Sequence, residues 1–71
     1  MVNDYVTCDL HQAAFLVALR HPLRRLEGGP RKSFVFDGNA QADAERFHDN
    51  APVGALDFAT ALRQVKARLY G

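Results

Sequence analysis

Two groups of basic side chains are the residues whose types and spacing best suit recognition chemistry. Near the C-terminus, Arg63, Lys66 and Tyr70 follow one another at intervals of three and four residues, which places them on one flank of a helix. An arginine fork close to an aromatic ring suits phosphate binding and base stacking. We take this group as candidate anion- or ligand-binding residues, together with a second group in the middle of the chain. The second group comprises Arg24, Arg25, Arg31 and Lys32.

Two interpretations of these basic residues stay open. If the mid-chain segment and the C-terminal helix pack side by side, the two groups form one anion-binding surface. Alternatively, they are ordinary solvated charges, since lysine and arginine flank most amphipathic helices and keep them soluble. The formal net charge is +1, with Lys+Arg 9 against Asp+Glu 8. This balance argues against a dedicated nonspecific DNA-binding protein.

A metal site has little support in the spacing of the candidate ligands. Cys8 and His11 stand three residues apart at the predicted start of a helix, where a thiol pKa can fall and the thiol become reactive. His48 and Asp49 are distant candidates to complete a ligand set. The paired ligand spacing of a structural zinc site is missing. We therefore expect no metal and no cofactor.

The sequence also lacks a convincing catalytic set. A nucleophilic triad can be assembled on paper from Cys8, Asp37 and either His21 or His48, but nothing in the sequence brings these residues together. Gly28 and Gly29 lack the further glycine and lysine of a phosphate-binding loop. The acidic run is more typical of a solvated helix face, and it comprises Asp37, Asp43, Glu45 and Asp49. We therefore expect a protein that is not an enzyme.

Length and composition predict one small globular domain. The chain has 71 residues, 48% of them hydrophobic, and a single cysteine, Cys8, so no disulfide can form within it. A lone thiol and the lack of a signal-peptide pattern favour the cytoplasm. The longest apolar run, Ala13 to Leu19, is too short to span a bilayer. A domain of this size buries only ~60% of the surface of its unfolded chain, so its stability is marginal and self-association would increase it.

Hydrophobic periodicity and turn residues predict a strand, a helix, a hairpin and two helices. In chain order these are a strand at 4–7, a helix at 10–19, strands at 23–28 and 32–37 joined by a turn at 28–31, and helices at 40–50 and 55–70. Asp9 is expected to cap the first helix in a capping box with Gln12, with Thr7 as a competing cap. The turn Asp37-Gly38-Asn39 is expected to cap the second helix.

These elements predict an α+β fold with a small antiparallel sheet of two or three strands. Ala13 to Leu19 contains no polar residue, so helix 1 must be covered on one side by the sheet and on another by a helix or a second subunit. Phe34 and Phe36 share a strand face and are expected to contact helix 1. The last helix is amphipathic, and its apolar stripe comprises Phe58, Ala61, Leu62, Val65 and Leu69. We expect 1–71 to form a single domain.

Four short motifs in fixed order resemble a family of small bacterial and bacteriophage domains of unknown function. The motifs are Thr-x-Asp-Leu at 7–10, Ala-Ala-Phe-Leu at 13–16, Phe-Val-Phe-Asp at 34–37 and Ala-Leu-Arg-x-x-Lys-x-x-Leu-Tyr at 61–70. The resemblance covers most of the chain and is weakest at 41–50. It implies a compact α+β fold and an origin in a phage or mobile element, and it implies no activity.

Three functions follow as hypotheses. The first is a non-catalytic binding protein that acts on a host protein, as a homo-oligomer. The second is a protein that sequesters an anionic nucleotide at a subunit interface through Arg24, Arg25, Arg63 and Lys66. The third is a small nucleic-acid-binding regulator, placed last because the net charge is only +1 and no helix-turn-helix is evident. No membrane partner is expected.

Overall fold

A computed structural model describes residues 3–28 and 32–70 of the chain, which form three strands, three α-helices and a short 3₁₀ turn. The strands and helices are β1 (Tyr5–Thr7), α1 (Leu10–Ala18), β2 (Arg25–Glu27), β3 (Ser33–Phe36), the 3₁₀ turn (Gly38–Ala40), α2 (Gln41–His48) and α3 (Ala55–Tyr70). Of the turn predicted at 28–31, only Gly28 lies within the described residues; its φ of 109° is one that glycine adopts without strain.

The strands form one antiparallel sheet in the order β1-β3-β2. Val35 of the central strand pairs with Val6 on one side and with Arg25 on the other, so these three side chains share one face. Phe34 and Phe36 point to the opposite face and are buried in the core. The predicted α+β class is therefore confirmed, and the N-terminal strand makes the sheet three-stranded.

Helix α1 is covered on two sides, as its unbroken apolar sequence requires. Phe15 and Leu16 belong to the same core cluster as Phe34 and Phe36 of the sheet. Helix α3 packs along α1 and contributes Val65 to this cluster. The expected cover is thus a helix of the same chain, and the Phe34/Phe36 face of the sheet carries the helical layer.

The capping of α1 differs in one respect from the sequence prediction. The Asp9 carboxylate accepts hydrogen bonds from the backbone N–H groups of His11 (2.9 Å) and Gln12 (3.2 Å), so Asp9 is the N-cap. The reciprocal half of the predicted capping box is wrong. The Thr7 hydroxyl accepts the Asp9 N–H instead, at 3.1 Å. This leaves the Gln12 side chain free to point into the protein.

Gln12 attaches α2 and β1 to α1. Its buried amide nitrogen donates to the carbonyl oxygen of Ala44 in α2 (3.1 Å), and its amide oxygen accepts from the Tyr5 hydroxyl (3.0 Å). The predicted cap of the second helix by Asp37 is wrong, because the Asp37 side chain makes no capping hydrogen bond there. Buried alanines and this glutamine, rather than a strong cap, therefore hold α2 in place.

Helix α1 ends in a backbone conformation that is unfavourable for the residue found there. The N–H groups of Arg20 and His21 donate to the carbonyls of Val17 (2.9 Å) and Leu16 (3.0 Å), the two bonds of a Schellman motif. This motif places Arg20 at a φ of 73°, in the left-handed region usually occupied by glycine. Helix α2 ends the same way, but on Asn50, which tolerates this region better.

The Gln12 bonds predict a destabilised variant. Gln12→Met keeps the length of the side chain but leaves the Ala44 carbonyl and the Tyr5 hydroxyl without their partner. We expect the free energy of unfolding, measured by urea denaturation, to fall by about 2 kcal/mol. The control is Gln41→Met on the exposed side of α2, which should change little. Equal effects of the two substitutions would contradict this role of Gln12.

The left-handed conformation predicts a stabilised variant. Arg20→Gly removes the Cβ that makes this φ unfavourable, so the free energy of unfolding should rise by about 0.5–1 kcal/mol. In a domain of this size that corresponds to an increase in Tm of roughly 2–8 °C. Asn50→Gly, at the corresponding position of α2, is the matched control and should gain less. A lower Tm for Arg20→Gly would refute the assignment of strain.

Candidate functional site

Two arginines of the hairpin group, Arg24 and Arg25, are paired with carboxylates of the same chain. Arg24 forms an ion pair with Asp37, directly after β3. Arg25 on β2 forms ion pairs with Glu27 (2.8 Å) and with Asp4 (3.1 Å), which directly precedes β1. The hydrogen bond that Arg25 donates to Glu27, and then the one that it donates to Asp4, raises the pKa of Arg25. Both guanidinium groups are thus already engaged before any ligand arrives.

These ion pairs also cover the sheet face that carries no helix. Because Asp4 and Arg25 belong to opposite edges of the sheet, the Arg25 side chain spans β3 beside Val35. Val35 is fully buried on this face, whereas its neighbour Val6 is 48% exposed. Cys8 lies on the same face, with its sulfur 3.4 Å from the Ser33 hydroxyl. On the open sheet face, Arg25 is therefore satisfied by two carboxylates of the same chain.

The remaining members of the hairpin group do not form a cluster in the described structure. Lys32 is exposed directly before β3 and forms no ion pair with another described residue. Arg31 lies outside the described residues. Arg25 lies on the sheet face opposite α1 and α3, whereas Arg24 directly follows Leu23, whose backbone carbonyl accepts a hydrogen bond from Arg68 of α3.

The outer face of α3 presents exposed cations between two exposed apolar residues. We define this outer face by its exposed residues at successive intervals of three and four: Leu56, Ala59, Arg63, Lys66 and Tyr70. Leu56 is 83% and Tyr70 79% exposed, at opposite ends of a face about 21 Å long. Within residues 3–28 and 32–70, Arg63 and Lys66 form no ion pair.

The apolar stripe of α3 fixes which residues lie outside. Ala61 and Val65 are buried against the rest of the core. Phe58, Leu62 and Leu69 are partly buried beside them, as the periodicity predicted. The outer face lies about 100–180° around the helix from Val65, at 100° per residue. Its solvent exposure is therefore a direct result of core packing.

A groove between α1 and α3 is a feature that sequence reasoning missed. The groove has a volume of about 590 Å³. Its lining residues are Val17, Pro22, Leu23, Gln64, Val65, Ala67 and Arg68. Arg68 Nη1 donates to the backbone carbonyl of Leu23 at 3.1 Å, which holds the guanidinium at the groove. The periodicity of α3 puts Arg68 beside the apolar stripe. The opposite wall of the groove is formed by Val17, Pro22 and Leu23, which are distant from α3 along the chain. Only packing reveals the groove.

The candidate metal and catalytic residues are dispersed. In the described part of the chain, no three His, Cys, Asp or Glu side chains are arranged to hold a metal ion. His11 stacks on Phe58 with ring centroids 6.5 Å apart, and His48 Nε2 lies 3.3 Å from the amide nitrogen of Gln12. Among the same residues, no helix has the length and apolar character needed to cross a membrane.

One acidic residue of α2 is held in a small charge cluster. Asp43 lies 2.7 Å from His21 Nε2 and 3.3 Å from Arg46 Nη1. The hydrogen bond with His21 lowers the pKa of Asp43, partial burial opposes this, and the bond from Arg46 lowers it further. The cluster ties α2 to the segment after α1.

The lowered pKa of Asp43 predicts a pH dependence of stability. A carboxyl group with a depressed folded-state pKa stabilises the protein above its ordinary pKa of 3.8, and this contribution is lost as the pH falls through the lowered value. Asp43→Asn should therefore lower Tm at neutral pH, and the difference from the wild type should narrow towards about pH 2. Glu45→Gln, an exposed carboxylate on α2, is the control. A difference that stays constant with pH would contradict the role of the Asp43 charge.

Comparison of this chain with protein-family models, with curated proteins and with solved structures gave no match. Conclusions about function must therefore come from the surfaces of the molecule itself. Two surfaces have charges or apolar side chains that the described fold does not satisfy: the outer face of α3 and the groove beside it.

Proposed function

We propose that this protein is a small non-catalytic binding protein whose α3 outer face binds an acidic surface of another protein. The observation that carries the proposal is the contrast between two arginines of the hairpin and the cations of the α3 outer face. Arg24 and Arg25 are paired with carboxylates of their own chain. Arg63 and Lys66 are exposed and have no such partner among the described residues.

The side chains around these cations support a protein partner. Arginine and tyrosine are enriched among the residues that dominate binding energy at protein interfaces. Leu56 and Tyr70 offer apolar contacts at the two ends of the face, and Ala59 allows close approach between them. The complementary partner has carboxylates at its centre and apolar positions about 21 Å apart. An acidic helix or a groove with an acidic floor meets this description.

The resemblance to phage domains suggests where such a partner is found. A protein of phage or mobile-element origin acts in the cytoplasm of a host cell, so we propose a host protein as the partner. The lone thiol Cys8 agrees with a reducing compartment. No catalytic or cofactor role enters this proposal.

Homo-oligomerisation remains part of the proposal, but it must use another surface. If two copies paired their outer faces antiparallel, so that Leu56 met Tyr70 of the second copy, Arg63 would lie at the midpoint against its own equivalent. Like charges in direct opposition are unfavourable. The outer face is therefore better suited to an acidic partner than to self-association.

The two alternatives have weaker support. A nucleotide held by Arg24, Arg25, Arg63 and Lys66 together would have to displace the ion pairs of the hairpin and join surfaces that lie apart. Single-stranded nucleic acid is favoured by one observation, the exposed Tyr70 next to exposed cations. A face with two cations neutralises few phosphates, so such binding would be weak and sensitive to salt.

Site-specific photo-crosslinking can identify the partner. A photoreactive amino acid at Ala59 lies in the middle of the outer face, and one at Ala42, exposed on α2, is the control position. In host lysate, a defined protein should be crosslinked from position 59 and not from position 42. The partner is then produced separately and its affinity is measured by calorimetry. Crosslinking of that protein from position 42 alone would place the interface elsewhere.

Matched charge reversals then test the basic residues. Lys66→Glu should weaken binding of the purified partner by about tenfold or more, because a cation facing carboxylates becomes an anion. Lys32→Glu makes the same change at an exposed lysine next to β3 and should have less than about a twofold effect if the outer face is the site. Equal losses would indicate nonspecific electrostatics and overturn the proposal. Salt-sensitive binding of an oligothymidylate, abolished by Lys66→Glu, would favour the nucleic-acid alternative instead.

A further inference from the structure

The groove between α1 and α3 combines an apolar lining with one fixed cation. Val17, Leu23 and Val65 form its apolar wall, and Arg68 lies at its edge. The described lining includes no Asp or Glu. A volume of about 590 Å³ lies within the usual range of small-molecule sites, roughly 300–1,000 Å³. The groove is open on one side, so a ligand can enter without a conformational change.

Arg68 is positioned for an anion. One of its N–H groups is used by the Leu23 carbonyl, which anchors the guanidinium in place. A guanidinium has five N–H donors, so several remain for a ligand. Within the described residues Arg68 forms no ion pair. A carboxylate or phosphate at this position would supply the charge partner that the described fold does not provide.

We propose that this groove binds a small amphipathic anion, an unbranched carboxylate of medium chain length. The carboxylate pairs with Arg68, and the alkyl chain covers Val17, Pro22 and Leu23. Burial of apolar surface supplies most of the affinity, at roughly 25 cal/mol per Å², and the charge pair fixes the orientation of the ligand. This site is separate from the outer face of α3, and neither proposal depends on the other.

A smaller depression lies beside the groove between α1 and α3. The charge and polarity of its lining make it less suitable than the groove for an apolar anion. The smaller space, about 250 Å³, shares Val17 and Gln64 with the groove and is lined by Arg20. Its lining also includes the carboxylate of Asp57 and the polar side chain of Thr60. An apolar anion there would meet a like charge and a polar wall. Arg20 therefore provides a control arginine close to the site but outside it.

Calorimetry with three ten-carbon probes tests the chemistry of the ligand. Decanoate, decanol and decyltrimethylammonium share an apolar chain and differ in charge. All are used below their micellar concentrations. We expect saturable binding of one decanoate per chain, at least tenfold weaker binding of decanol, and no detectable binding of the cation. Equal binding of all three would mean a nonspecific apolar surface and would overturn the proposal, as would no binding of decanoate.

Two matched variants test the location. Arg68→Gln retains N–H donors but removes the charge, and should weaken decanoate binding about tenfold or more. Arg20→Gln removes the same charge next to the groove and should leave the affinity within about twofold. The Tm of each variant is measured to show that it remains folded. Equal losses in both variants would assign the effect to general charge and refute the role of Arg68.

A third variant tests the apolar part of the site. Ala67 is exposed and lines the groove, so Ala67→Trp fills the space without disturbing a buried contact. Binding of decanoate should be lost while Tm is maintained. Lys32→Glu should leave decanoate binding intact, since Lys32 is exposed before β3 and does not line the groove. Undiminished binding to Ala67→Trp would show that the ligand binds elsewhere.

Discussion

The burial of helix α1 is the constraint on which the rest of this structure depends. Ala13, Ala14 and Leu16 have no exposed surface, and no polar residue interrupts the apolar run from Ala13 onwards. A small domain has few elements with which to enclose a helix on all sides. The sheet covers one side of α1 and α3 covers another, while α2 is fastened to it through the Gln12 amide. The sheet, α2 and α3 therefore each use one side to pack against α1.

This packing against α1 determines which surfaces of the sheet and of α3 stay exposed to solvent. The sheet keeps one open face, and its charges are satisfied internally: Arg25 crosses the central strand to Asp4 and shields Val35. Helix α3 keeps its outer face, where the cations have no internal partners among the described residues. The seam between α1 and α3 leaves a groove open, with Val17, Leu23 and Val65 in its apolar wall and Arg68 beside them. The binding functions that we propose therefore use α3 and its border with α1.

Local signals in the sequence were sufficient for the elements and for the core. The alternation of Phe34 and Phe36, the Asp9 cap and the apolar stripe of α3 depend on residues within a few positions of one another, and all three are confirmed. The partners of Gln12 and Arg25 are 32 and 21 positions away along the chain. Polar side chains choose such partners only after the chain has packed, so periodicity cannot predict them. The groove was missed for the same reason.

The basic residues show most clearly the difference between what local sequence spacing predicts and what only the packed chain determines. Sequence spacing grouped Arg63, Lys66 and Tyr70 on one helix flank, and the structure has all three exposed on one face of α3. The same type of residue in the hairpin looked equivalent, yet Arg24 and Arg25 neutralise carboxylates of the sheet. Counting cations therefore overstates an anion-binding surface, because a cation is available only if the fold supplies no carboxylate to it. By this criterion Arg63, Lys66 and Arg68 differ from the hairpin arginines. All three belong to α3, whose inner side packs into the core and whose exposed cations form no ion pair with other described residues.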